Sequence, residues 1–157
     1  MIFYLLRESE NKLSNFFDKR IKIAFVLFFL TGATGSITAL ADVLFPSASF
    51  VEGFIEDFDS TSEVLTRLRI LHPFVSTILS IFLFSESNRF KKEFAIDTSI
   101  IKVLVIVGVI LGVLNVVSNI ILPLSILHLL LADLLWITYV YKAVEKATLL
   151  KIPQNID

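Results

Sequence analysis

The chain has 157 residues, of which 55% are hydrophobic and 18% are charged, and its mean hydropathy is +0.81. A soluble domain usually has about 45–50% apolar residues, so this composition favours a membrane protein. The net charge of −1 argues against a nucleic-acid partner, which normally meets a basic surface. The absence of cysteine excludes disulfides, thiolate metal sites and a cysteine nucleophile.

The amino-terminal residues 1–22 have an amphipathic pattern, which predicts a segment that rests on the cytoplasmic membrane interface. They lack the basic-then-apolar order and the cleavage site of a signal peptide. We therefore expect this segment to belong to the mature protein.

Four apolar runs follow, each close to the ~20 residues that a helix needs to cross a bilayer. Because lipid offers no partners for backbone polar groups, we expect each run to be helical. The prediction is an all-α, integral membrane four-helix bundle that forms a single domain over the whole chain. The runs are about 23–44, 68–84, 100–121 and 123–141.

The basic residues predict the orientation, since cytoplasmic segments carry an excess of Lys and Arg. Of the 14 basic residues, 12 lie on one side: 11 come before the first run, between the second and third, or after the fourth, and Lys102 lies at the edge of the third. Only Arg67 and Arg69 lie on the other side. Both termini are therefore predicted to be cytoplasmic, in a multi-pass protein of the cell membrane.

The outer segment 45–67 is acidic, and Phe50, Phe54 and Phe58 recur in it at helical spacing. This pattern predicts a short amphipathic helix that lies on the membrane surface. A solvated loop with a few buried aromatic residues is the alternative.

The chain has only two histidines, His72 in the second run and His128 in the fourth. Both lie about one turn or slightly more from the outer end, so both imidazoles are expected at a similar depth. In an up-down bundle the second and fourth helices are diagonal across the core. Two histidines in this arrangement can hold a flat cofactor between them, and imidazole is a common ligand of heme iron.

Two other roles for the histidines do not involve heme. A membrane histidine often bonds to a neighbouring backbone or serine without any cofactor. A zinc site usually needs three or four protein ligands, and no others lie at this depth. We therefore expect iron, held by His72 and His128, as the metal.

Arg67 and Arg69 precede His72 by less than two turns and are suited to pair with the propionates of a heme. An ion pair with the acidic outer segment is the alternative. The TGATGS motif at 31–36, and the GxxxG spacing of Gly108 and Gly112, predict either close helix packing or a slot for a porphyrin.

Asp133 is an ionisable residue in a leucine-rich run, which marks it as a candidate for function or for an interface. It points about 140° away from His128 on the helix, so we do not expect it to share the ligand face. Its possible partners are a second subunit or three polar residues, Thr138, Asn115 and Ser118.

The segment LGVLNVVSNIILPLSILHLLLADLLW, together with ATGS in the first run and LHPFVSTILSIFL in the second, resembles the heme A synthase family. The resemblance covers most of residues 25–141 and corresponds to one four-helix half of that family. It implies His72 and His128 as an axial heme pair near the outer face. It also implies oxidation of the heme O methyl group to the formyl group of heme A, for cytochrome oxidase assembly.

This sequence departs from the family pattern in several places. The family has Glu three residues before the helix 2 histidine and Arg directly after it, whereas this chain has Arg69 and Pro73. A family Gln on helix 3 aligns roughly with Gly108. Because the chain corresponds to a single half, a homodimer or larger homo-oligomer is expected.

Two alternatives to a heme A synthase remain. One is a b-type cytochrome or heme carrier with the same site and without synthase activity, which binds heme b or heme O/A. The other is a structural protein in which both histidines only serve packing. We leave the catalytic residues unassigned.

Overall fold

The computed structural model describes residues 18–149, and within this range every regular element is an α-helix. The helices, in chain order, are α1 Lys19–Leu44, α2 Phe50–Phe58, α3 Val64–Leu68, α4 Leu71–Phe94, α5 Ser99–Val117 and α6 Leu122–Leu149. The predicted amphipathic segment 1–22 lies almost wholly outside the described residues.

Four helical segments are long and apolar enough to cross a membrane: Lys19–Leu44, Val64–Phe94, Ser99–Val117 and Leu122–Leu149. The second of these combines α3 and α4. The predicted all-α, multi-pass membrane architecture is therefore confirmed. The cytoplasmic placement of both termini stays a prediction.

The long helices pack in an up-down order in which sequence neighbours are also neighbours in space. The closest pairs are α1 with α4 and α5 with α6, and α4 also packs on α5. Phe25 and Phe28 of α1 pack edge-on against Trp136 of α6, with ring centroids 4.7 and 4.9 Å apart. The helices α4 and α6 thus lie diagonally across the bundle and contact each other there.

We call the end of the bundle that holds residues 45–63 and 118–121 the loop end, and the other the terminal end. The hydrophobic core lies toward the terminal end, where Leu79, Leu83, Val105 and Tyr139 are buried together with Ala24. In contrast, no residue in the range 106–138 is fully buried. Toward the loop end, the buried residues are mostly polar: Thr34, Thr66 and Arg69.

Charged side chains join the helices at the terminal end. The buried carboxylate of Glu86 pairs with Arg20 of α1 and with Arg89, and the buried Lys146 of α6 pairs with Asp18. The Asp18 side chain also accepts a hydrogen bond from the backbone N–H of Ile21 at 2.8 Å, which caps α1. These contacts fix α1, α4 and α6 to one another.

The helices extend further than the apolar runs predicted. The first begins at Lys19 instead of 23, the second continues to Phe94 instead of 84, and the fourth continues to Leu149 instead of 141. The reason is that charged residues such as Glu86 and Lys146 continue the helix and pair with other helices. The third ends earlier, at Val117, because Asn119 and Ile120 adopt left-handed backbone conformations in the turn to α6.

Candidate functional site

The structure brings the two histidines together toward the loop end of the bundle. The imidazole centroids of His72 on α4 and His128 on α6 are 6.4 Å apart, and the ring planes meet at 87°. Both side chains are half-buried. The matched depth that the sequence suggested therefore corresponds to direct proximity across the bundle.

Each imidazole is held by a backbone carbonyl of the preceding long helix. His72 Nδ1 lies 3.2 Å from the carbonyl oxygen of Thr31, and His128 Nδ1 lies 3.1 Å from that of Gly108. A carbonyl oxygen only accepts hydrogen bonds, so Nδ1 must carry the proton in both rings. This tautomer leaves the Nε2 lone pair of each histidine available to a metal.

This arrangement fits a heme iron. A metal–imidazole bond is about 2 Å long, so two imidazoles on opposite sides of one metal have ring centres about 6 Å apart. Histidine ligands commonly donate their other ring N–H to a backbone carbonyl, as both rings do here.

The donor set also limits the kind of metal. Among residues 18–149, no group of three or more His, Cys, Asp or Glu side chains is placed to hold a metal ion. Two imidazole nitrogens are a donor set that suits an ion with its other ligands already bound, as in the iron of heme.

Arg69 is the centre of a polar cluster beside the histidines. Its side chain is only 8% exposed, and the guanidinium donates to Asp57 at 2.8 Å, to Asp42 at 3.0 Å and to Glu56 at 3.3 Å. It also donates to Ser47 Oγ at 3.2 Å and to the carbonyl of Gly53 at 3.3 Å. Its five N–H groups thus match five acceptors.

These contacts bear on the predicted role of Arg69. The ion pair with the acidic outer segment, stated as the alternative, is what the structure shows for this residue. With its donors engaged, Arg69 has no free N–H for a propionate, so that role stays a prediction that this geometry does not favour. Arg67 is exposed, and within residues 18–149 its guanidinium makes no ion pair. It is the better candidate for the propionates.

The Arg69 cluster gathers carboxylates from two helices around one guanidinium. The side chain at position 69 is a cation, but Asp42 comes from the end of α1 and Glu56 and Asp57 from α2. Burial raises the pKa of the Asp57 carboxyl above its usual value, while the hydrogen bond and charge of Arg69 act to lower it. The cluster also ties the outer segment to α4.

The helix α2 uses its polar side for this cluster, so its apolar side faces outward. Phe50, Phe54 and Phe58 are exposed, as are Val51 and Ile55. Ser49 caps the helix by accepting a hydrogen bond from the N–H of Glu52. The spacing of the phenylalanines had indicated this helix, and the acidic outer segment had suggested an ion pair with Arg69. The role of Asp42 gave no signal in the sequence.

Asp133 lies apart from the histidines, on the exposed side of α6. No hydrogen bond or ion pair joins it to any residue of the described chain, so the suggested contacts with Thr138, Asn115 and Ser118 are not formed. Asn115 instead accepts a hydrogen bond from Ser125 at 3.1 Å. A second subunit remains as the predicted partner of Asp133.

Comparison with known proteins identifies the family. The family model for cytochrome oxidase assembly proteins, COX15-CtaA, matches residues 4–140. The chain belongs to this family. This match confirms the resemblance to the heme A synthase family noted in the sequence. It also agrees with the prediction of a multi-pass membrane protein.

Two curated relatives, from two strains of Thermus thermophilus, are named protoheme IX farnesyltransferase. Each is 29% identical to this chain over 125 residues, which is 74% of the chain. The chain spans about a fifth of their length, since the match covers 20% of each. No solved structure gives a significant match.

Proposed function

We propose that this chain binds one heme between His72 and His128 and acts as a heme A synthase in cytochrome oxidase assembly. The observation that supports this most strongly is the paired geometry of the imidazoles, 6.4 Å apart with both Nδ1 atoms bound to carbonyls. Membership of the family supplies the cellular role.

The residues of the chain have separable roles in this proposal. His72 and His128 would hold the iron through Nε2. Arg67, which is exposed and free of ion pairs within the described chain, binds a propionate. When bound, heme would supply electron transfer from the heme O methyl group to an external electron acceptor, since conversion of this group to a formyl group removes four electrons and adds one oxygen atom.

The relatives are consistent with a heme substrate. Each is named for transfer of a farnesyl group to protoheme IX, so a segment similar to this chain occurs in proteins that act on heme. Heme O is the farnesylated form of heme. We propose that this chain acts on the product of such a farnesyl transfer.

A second function is supported by Arg69. The family has a glutamate at this position, and here a cation stands in its place and is saturated by the outer segment. A b-type cytochrome or heme carrier needs the two histidines and does not need that glutamate. The neighbouring Asp42, Glu56 and Asp57 are all paired with Arg69.

Conversion of heme O separates the two functions. The purified protein, reconstituted in lipid and given heme O, is extracted and its hemes are separated by chromatography. Heme A as a product, lost in His72→Ala and in His128→Ala, is expected for the synthase. Heme that is bound but unchanged, and no rescue of a cell that lacks heme A synthase, would instead establish the cytochrome or carrier.

A further inference from the structure

The two histidines lie on different helix pairs, but each is held by the same kind of backbone site. We call this site a socket: a carbonyl at position i that bonds to the ring, and a glycine at i+4 that the ring packs over. His72 bonds to the carbonyl of Thr31, and four residues later on α1 the ring packs over Gly35. His128 bonds to the carbonyl of Gly108, and four residues later on α5 the ring packs over Gly112. A carbonyl at position i and a glycine at i+4 thus recur in both halves of the bundle.

The glycine is needed because of helix geometry. In an α-helix the carbonyl at i points toward residue i+4, so a side chain there stands beside any ring that reaches that oxygen. A Cβ atom added to Gly35 would lie 3.1 Å from His72 Cε1 and 3.2 Å from Nδ1. A Cβ atom added to Gly112 would lie 3.1 Å from His128 Cε1. These distances are tighter than most Cβ contacts, so the added methyl group would require each ring to move by a few tenths of an ångström.

Other glycines on the same helices do not share this role. A Cβ atom on Gly32 of α1 would meet nothing within 4 Å, and one on Gly108 would make an ordinary contact with Leu131 at 3.4 Å. The requirement for glycine is therefore specific to Gly35 and Gly112. The GxxxG spacing of α5 combines two functions, since Gly108 provides the carbonyl and Gly112 provides the space.

The two sockets differ in one flanking residue. Beside Gly35, the buried Thr34 has its hydroxyl 3.5 Å from His72 Nδ1, and this hydroxyl bonds to the carbonyl of Leu30 at 2.8 Å. The equivalent residue beside Gly112 is Leu111. The His72 socket is thus more polar than the His128 socket.

We infer that Gly35 and Gly112 are positioning residues that hold both imidazoles as Nδ1–H tautomers and so direct Nε2 of each toward one iron. This inference rests on the proposed heme site, and it goes beyond it because it assigns the orientation of the ligands to two backbone sockets. The repeat of the socket shows that the two helix pairs, α1 with α4 and α5 with α6, are built as equivalent units around the ligands.

The test compares two pairs of substitutions in the full chain. Gly35→Ala and Gly112→Ala place a methyl group against an imidazole, whereas the controls, Gly32→Ala on α1 and Val103→Ala at an exposed position of α5, change the same helices away from the two rings. Loss of a group that orients a metal-ligating histidine typically costs about 10–100-fold in metal affinity, so we expect hemin to bind at least about tenfold more weakly in the first pair. A change in the low-spin absorption and electron paramagnetic resonance spectra should accompany it.

Equal hemin affinity and equal spectra in all four variants would overturn the inference. A second measurement keeps it testable if Gly35→Ala or Gly112→Ala does not fold. The nitrogen shifts of the two histidines in unloaded, wild-type protein labelled with ¹⁵N report the tautomer directly, and we expect Nδ1–H for both. Nε2–H in either ring would contradict its socket.

This second measurement also separates the inference from the proposed function. A wild-type protein that takes up no hemin would refute the heme site. The tautomers of His72 and His128 would still decide whether the sockets hold the rings as inferred.

Discussion

The imidazoles of His72 and His128 lie 6.4 Å apart, centre to centre, with their planes at 87°. Each Nδ1 atom is tied to a carbonyl of its own helix pair, so the two rings are held independently and meet only across the bundle. A site assembled from two helix pairs in this way depends on the packing between α4 and α6. The charged contacts at the terminal end stabilise that packing.

Arg69→Met is expected to destabilise the loop end strongly. The substitution removes all the donors that neutralise Asp42, Glu56 and Asp57, and loss of one partner of a buried ion network typically costs about 3–5 kcal/mol. Because Glu56 is partly exposed to solvent, we expect a cost near the lower end of this range. Thermal unfolding in detergent and limited proteolysis of residues 45–63 measure the effect. Unchanged unfolding and unchanged cleavage would show that the cluster contributes nothing.

Arg67→Met is expected to leave the stability unchanged and to weaken the retention of heme. Arg67 is exposed and makes no ion pair within the described chain, so its removal leaves no buried charge unpaired. A propionate that loses its cation should raise the hemin dissociation rate. Stopped-flow transfer of heme to an acceptor protein measures this rate, and Arg69→Met serves as the comparison. A wild-type dissociation rate in Arg67→Met would remove Arg67 from the heme site.

The apolar side of α2 is expected to lie in the lipid interface. Phe50, Phe54 and Phe58 face outward while the polar side of the helix is bound to Arg69, and α2 begins close to the end of α1. The chain has no cysteine, so single substitutions can carry a spin label at one position. In vesicles, a label at Phe54→Cys should be more accessible to oxygen than to a polar nickel reagent. A label at Glu52→Cys should show the reverse.

Polar accessibility of the label at Phe54 would contradict this placement of α2. It would indicate instead that the apolar side of the helix covers another protein surface outside the bilayer.

Asp133→Leu is expected to reduce the proportion of oligomer. The carboxyl group is exposed on α6 within an apolar stretch and has no partner in residues 18–149, and a polar group at such a position favours a contact with another subunit. Light scattering after size exclusion measures the oligomeric state. Leu134→Ala, also at an exposed position of α6, is the matched control. An oligomer of unchanged size in Asp133→Leu would exclude this contact.

The sequence was sufficient to predict the histidine pair, because helix number, up-down order and rise per residue fix the depth of His72 and His128. It offered the ion pair of Arg69 with the outer segment only as an alternative, since Glu56 and Asp57 reach this side chain only after residues 45–63 fold back over the bundle. It did not predict the contact with Asp42 at the end of α1. The sequence marked the glycines at 31–36 and at 108 and 112 for close packing or a porphyrin slot, but it did not predict that Gly35 and Gly112 contact the imidazoles. The segments that separate Gly35 from His72 and Gly112 from His128 differ in length, which conceals the repeat in the sequence.

Helix ends were also poorly predicted from apolarity. Residues 85–94 and 142–149 are rich in charge, yet they are helical because Glu86 and Lys146 are paired in the interior. In a membrane protein, apolarity therefore marks the part of a helix that can lie in lipid. The rest of the helix is determined by contacts with other helices.

Titration of the reconstituted protein with hemin, followed by absorption spectra of the oxidised and dithionite-reduced forms, tests the central claim most directly. We expect one low-spin heme per chain, and an anisotropic low-spin paramagnetic resonance signal typical of perpendicular imidazole planes. His72→Ala and His128→Ala should each lose the low-spin spectrum and regain it with added imidazole. A wild-type protein that binds no heme, or a low-spin spectrum that persists in both variants, would contradict the assignment of these two histidines.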